Sequence, residues 1–270
     1  MDRTTVLGLL VGLGAMVGMV LVEGGELQGL LNIAAAIVVF GGTFGALLVS
    51  HPLSDVANLP RTIARAFGPE VDAVATEKVD FYVHLAEKAR REGLLALEQD
   101  ADQLDDPFAK KGLLLVVDGI DPEVVRGVLE KEMDGLAKRH ESNYRMLDAM
   151  GGYAPTMGIL GTVMGLVHVL SRLSEPSELG HAIAAAFVAT LYGVASANLI
   201  WLPMAGKLKL KSHAELDARR LTLDAVLSIQ AGDNPRIVRE KLEVHLPPRK
   251  RGVAAEGETA KGSEREYATT

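Results

Sequence analysis

"GGYAPTMGILGTVMGLVHVL", residues 151–170, is the stretch whose reading decides the fold. It is apolar over about 20 residues, which at 1.5 Å per residue crosses a hydrocarbon core of roughly 30 Å. Yet it contains Pro155, Thr162, His168 and five glycines. A helix that only faced lipid would have no use for so many residues that weaken helices or seek polar partners. The stretch therefore predicts a membrane span with a second task.

Three further runs have the same length and hydropathy, so the sequence predicts spans over 4–22, 30–49, 151–172 and 181–204. Away from their ends none carries Asp, Glu, Lys or Arg. Four such runs argue against buried helices of a water-soluble protein. The first run exceeds the apolar region of a signal peptide, has Arg3 as the one basic residue before it, and is followed by no A-x-A site. The fold class is thus an all-α integral membrane protein with four transmembrane helices and a helical cytoplasmic domain.

Charge sets the orientation. The connection "EGGELQG" is short and acidic, and Arg172 is the one basic residue in either outward hairpin. The other basic residues lie in the N-terminal tip, the 50–150 segment and the tail that opens with "KLKLK". The positive-inside rule then places both termini and the middle segment in the cytoplasm, with the chain multi-pass in the inner membrane. A net charge of −7 argues against a general nucleic-acid partner. The absence of cysteine excludes disulfides and thiol chemistry.

The 50–150 segment reads as helices throughout. Val79, Tyr82, Val83, Leu85, Ala86 and Ala89, then Leu94 and Leu97, recur at helical spacing, with Gly93 as a local break. Asp106-Pro107 and Asp121-Pro122 read as capped helix starts. The last helix of the segment is expected to run into the third span. After the fourth span, 205–246 continues as a helical tail. It should break at "GDNP" after Gln230, where glycine ends one helix and Asn234-Pro235 opens the next, and 247–270 is disordered by composition.

No catalytic motif is present, so the chain is expected not to be an enzyme. The seven histidines have no partner at metal-ligand spacing, so no metal and no cofactor are expected. With no ionisable group inside its spans, a chain that moved ions would need its titrating carboxylate from a partner. The spans do carry small residues in register. Gly158, Gly161 and Gly165 stripe the third, with Ala154 and Thr162 on the same broad face. Ala182, Ala186, Thr190, Gly193 and Ala197 stripe the fourth. Such stripes let helix backbones approach closely, either within the chain or against another helix, and two adjacent stripes favour a shared surface for a partner. Pro155 and Pro203 each delete a backbone hydrogen bond near the cytoplasmic side, and are read as bending points at one depth.

At "YAPTMGILGTVMGLVHVL" and "LGHAIAAAFVATLYGVASANLIWLP" the sequence resembles the MotA/TolQ/ExbB group, and within it the A subunits of the bacterial flagellar stator, over nearly its whole length. The resemblance implies a pentamer around a dimer of a single-span B subunit, whose aspartate carries the ion and whose outer domain grips peptidoglycan. It implies that Pro155 and Pro203 are the coupling hinges. It further implies contact with the rotor protein FliG through "ARREGLLALEQD", with Arg90 or Arg91 as the basic position and Glu98 as the acidic one. On an unbroken helix Arg91 and Glu98 would share a face. Thr162 and Thr190 match the threonines of the ion path. The implied ion is H+, with Na+ as the alternative, because a hydroxyl beside a carboxylate can also ligate sodium. The resulting expectation is a stator subunit coupling ion flow to torque. An ExbB/TolQ-like energiser of an envelope transport system and a membrane scaffold without ion flow are the alternatives.

Overall fold

A computed structural model describes residues 3–69, 76–171 and 176–248. Almost all of the expected disordered tail, and Arg172, lie outside these residues. Among the described residues there is no strand. Four helices are long and apolar enough to cross a membrane, in the order the sequence predicts. The first span is Arg3–Val22. The second runs through Ile33–Ala36, a π-helical turn Ile37–Gly41 and Gly42–Ser50. The third is the end of one helix, Pro122–Leu170, so the expected continuity with the preceding segment holds. The fourth starts in Pro176–Ser196, passes a π-helical turn Ala197–Trp201, and continues as Leu202–Gln230.

The chain divides into two units. The first comprises Met1–Glu70 and Lys138–Lys211. Its core is Leu47, Met146, Leu147, Met150, Ala154, Trp201 and Met204. The first span buries no residue, and Leu10 is 64% exposed. No helix of a water-soluble core looks like that, whereas a lipid-facing helix does. After the second span come two short helices, Leu53–Ala57 and Leu59–Ala66. Leu59, Ile63 and Ala66 turn into the core while Arg61 and Arg65 stay outside. Ser142 Oγ donates to Asp55 Oδ2 at 2.8 Å, and Thr62 Oγ1 donates to Asn143 Oδ1 at 3.3 Å.

Lys211 closes the end of the second short helix. Its Nζ donates to the carbonyls of Arg65 at 2.9 Å, Ala66 at 3.3 Å and Gly68 at 2.9 Å. These carbonyls belong to the last turn of the helix and the residues just after it, beyond the reach of the helix's own N–H groups, and that of Arg65 also accepts from Gly68 N at 3.1 Å. Lys211→Met keeps the apolar stem and removes the ammonium. It should cost about 1.5 kcal/mol locally and speed amide exchange over residues 59–68 about tenfold.

The second unit comprises Val71–Ala137 and Ser212–Thr270. The residues expected from periodicity make its core: Val79, Tyr82, Val83, Leu85, Ala86 and Ala89 of helix Thr76–Glu92, and Leu97 beyond it. They pack with Phe108, Leu113 and Val116, with Val125 and Leu129, and with Leu221, Val226 and Ile229. The predicted caps form. Asp106 accepts from Phe108 N, Asp121 from Glu123 N, and Asn234 from Arg236 N, each at the helix start it was expected to open. Gly93 stands at φ +87°, a left-handed position that ends its helix.

Tyr82 Oη donates to Thr222 Oγ1 at 3.0 Å inside this core. Burial pushes its phenol up from 10.0 to about 12. A raised pKa in the folded state stabilises fully below pH 10, and that contribution fades as pH rises through 12. Unfolding followed between pH 9 and 12 should therefore lose up to about 1.4 kcal/mol per pH unit, a slope that Tyr82→Phe flattens.

Candidate ion-path and coupling site

The third and fourth spans run antiparallel in close contact, and glycine makes the contact feasible. A β-carbon on Gly158 would lie 2.8 Å from the Ala189 carbonyl oxygen, and one on Gly161 would lie 2.7 Å from Ala189 Cβ. On Gly165 it would meet Ala186 Cβ at 2.6 Å, and on Gly193 the Ala154 oxygen at 2.5 Å. Gly158, Gly161, Gly165, Ala186 and Gly193 were expected to face a partner helix. In the structure their close approach is to each other. Two consecutive helices joined by a short connection bring their smallest faces together first, so the stripe is the seam between this chain's own spans. The first two spans carry their own small residues, a Gly14/Gly18 pair and a Gly41–Gly42–Gly45 cluster. Of these only Gly42 meets a neighbour, Met157, and the others face open space.

Midway along the seam sit Thr162 and Thr190, both half-buried. Their hydroxyls share a hydrogen bond. Thr162 Oγ1 is also 3.1 Å from the carbonyl oxygens of Gly158 and Ala186. Thr162 has one proton to donate, so this cluster is rich in acceptors. The two threonines expected to act together are therefore brought together. The spans add no carboxylate to them.

Pro155 sits inside Pro122–Leu170 and leaves the Gly151 carbonyl without its intrahelical donor. Its Cα would be 3.1 Å from a β-carbon on Gly193. Pro203 follows the π-helical turn, in which the Leu202 N–H reaches the Ala197 carbonyl. The widened turn absorbs the misfit that a proline imposes on the helix before it. The two prolines were read as level with each other. The structure offsets them: Leu202, next to Pro203, packs on Gly151, while Pro155 faces Gly193.

Arg90, Arg91 and Glu98 are exposed and form no ion pair with another described residue. The shared-face argument for Arg91 and Glu98 does not hold. Their helix stops at Glu92, Gly93 turns the chain, and Glu98 opens a separate short helix after the 3₁₀ turn Leu94–Leu97.

Sequence reasoning missed Tyr192 and Asn32. Tyr192 Oη donates to the Leu30 carbonyl and accepts from Asn32 N, and Asn32 caps its own helix through Ala35 N. Together they tie the start of the second span to the fourth. An asparagine directly before "IAAA", with one tyrosine in an otherwise smooth apolar run, was the available signal.

Comparison with known proteins places this arrangement. Residues 100–220 match the MotA/TolQ/ExbB proton channel family model, and residues 6–93 match that of the motility protein A N-terminal region. Motility protein A of Bacillus subtilis is 37% identical over 98% of this chain and 99% of its own. That of Treponema phagedenis is 39% identical over 95% of this chain and 98% of its own. Chemotaxis protein PomA of Vibrio alginolyticus is 35% identical over 94% and 98%. The solved flagellar MotAB stator complex from Bacillus subtilis contains a chain that superposes with a TM-score of 0.86 at 35% identity, covering 92% of this chain and 98% of that one. MotAB of C. jejuni gives 0.85 at 26% identity, over 92% and 97%. The chain belongs to the MotA/TolQ/ExbB proton channel family, on the branch of motility protein A.

Proposed function

We propose that this chain is the ion-conducting A subunit of a flagellar stator and couples ion flow to torque on the rotor. The observation that carries the proposal is the acceptor-rich Thr162–Thr190 cluster on a glycine seam that lacks any carboxylate. Ion transfer at that cluster requires a carboxylate from outside the chain, and the similar solved assemblies are MotAB complexes. The partner is accordingly a single-span B-type subunit with an aspartate, enclosed by a pentamer of this chain in the inner membrane with both termini cytoplasmic. Arg90, Arg91 and Glu98 present fixed charges to FliG, and Pro155 and Pro203 are the bending points between ion passage and rotor contact. The envelope-transport alternative is not favoured: the relatives above are motility and chemotaxis proteins along nearly their whole length.

The transported ion is the proton. Sodium is the second possibility, favoured by the clustered oxygens around Thr162, which are the donor type it takes. Swimming speed separates them. Proton coupling predicts unchanged speed when external sodium is replaced by potassium, and arrest by a protonophore. Arrest on sodium removal alone would overturn the proton assignment.

A further inference from the structure

We propose that the groove between the first and fourth spans is a binding site for an anionic phospholipid of the cytoplasmic leaflet. It is a cavity of about 350 Å³ whose walls are Gly8, Leu9, Asn198, Leu199 and Met204 at one end and Thr4, Thr5 and Lys207 at the other. Among the described residues, its only charged lining residue is Lys207. The Lys207 ammonium is not loose: it donates to Thr5 Oγ1 at 2.6 Å and to Thr4 Oγ1 at 3.2 Å. A cation held beside two hydroxyls forms a small polar head site, and the groove behind it is largely apolar, its Asn198 amide donating to the Val194 carbonyl. That polarity is the polarity of a lipid, headgroup at one end and acyl chain at the other.

Three observations favour a lipid over other occupants. Gly8 has no atom within 4 Å of where a β-carbon would stand, so the groove floor is open along the first span. The flanking faces, Leu7, Leu10 and Val11, are exposed on a helix that buries nothing. The charge in the groove is a lysine at the membrane boundary, where a cation attracts anionic headgroups. Pro203 also lines the groove, so an occupant would touch one of the two proposed bending points. Assignment to the cytoplasmic leaflet rests on the orientation proposed above.

The test is native mass spectrometry of the full complex released from nanodiscs of mixed phosphatidylglycerol and phosphatidylcholine. Wild type should retain phosphatidylglycerol in preference to phosphatidylcholine. Lys207→Gln should lower that retention about fivefold, the factor expected for one juxtamembrane lysine. Gly8→Leu, which fills the groove and leaves the charge, should lower it as well, so a folding defect in one variant does not decide the outcome. Lys209→Gln, outside the groove, should retain phosphatidylglycerol as wild type does. Equal retention of both lipids, or unchanged retention in both groove variants, would overturn the proposal. So would displacement of the lipid by inorganic phosphate alone, which would mean a free-anion site. The readout is lipid mass, so it stands or falls apart from torque and apart from the identity of the ion.

Discussion

Leucine at Gly193 is expected to abolish motility and to remove the folded chain from the membrane. The β-carbon alone would stand 2.5 Å from the Ala154 oxygen and 3.1 Å from the Cα atoms of Gly158 and Pro155. All three are main-chain atoms of the third span, and none can rotate away. The two spans must separate along their whole seam, which breaks the Thr162–Thr190 contact and the packing of Gly158, Gly161 and Gly165. Overpacking of this kind costs about 3 kcal/mol even in cores that can relax. Alanine should already impair function. Gly42→Ala is the informative comparison. Its β-carbon would meet Met157 Sδ at 2.7 Å, the far part of a flexible side chain that can swing aside. The expected order of membrane-integrated protein is Gly42→Ala near wild type, Gly193→Ala reduced and Gly193→Leu absent, measured in extracted membranes. Equal levels of all three would contradict the seam.

Pro155→Ala is expected to move stability and function in opposite directions. The alanine restores an N–H to the Gly151 carbonyl inside a helix that otherwise runs unbroken from Pro122 to Leu170. Removing an interior proline stabilises a helix by up to about 3 kcal/mol. Gly193, against which Pro155 packs, has room for the smaller residue. The variant should therefore be produced and inserted normally, with a raised melting temperature. Swimming should nevertheless be lost, because the alanine removes the proposed bending point. A variant that swims normally would show that Pro155 is a tolerated kink and nothing more. A variant that is lost from the membrane would show that the proline is needed for folding.

The spans, their order and the helix starts were legible because each has a local cause. Length and hydropathy give the spans, Asp-Pro and Asn-Pro give the caps, and a 3.6-residue period gives the buried face of Thr76–Glu92. Thr162 and Thr190 were named together by the family resemblance, and each also lies in a small-residue stripe. What the sequence could not give was register between helices. The glycine stripe reads the same whether it meets a partner or the neighbouring span, and only the fold shows that Ala186, Ala189 and Gly193 already occupy it. The offset of Pro155 and Pro203 was hidden for the same reason, since it depends on which residues of the two spans meet. Arg91 and Glu98 failed differently. Gly93 was visible as a break, but a spacing argument across it assumed that the helix continued.

The central claim is that this chain is a torque-generating stator subunit. Swimming of a strain deleted for it tests that most directly, with flagella counted by electron microscopy in the same cells. The account predicts normal numbers of flagella that do not rotate. It predicts rotation restored by the wild-type chain and not by Arg90→Glu/Arg91→Glu. Deleted cells that swim at wild-type speed would contradict it.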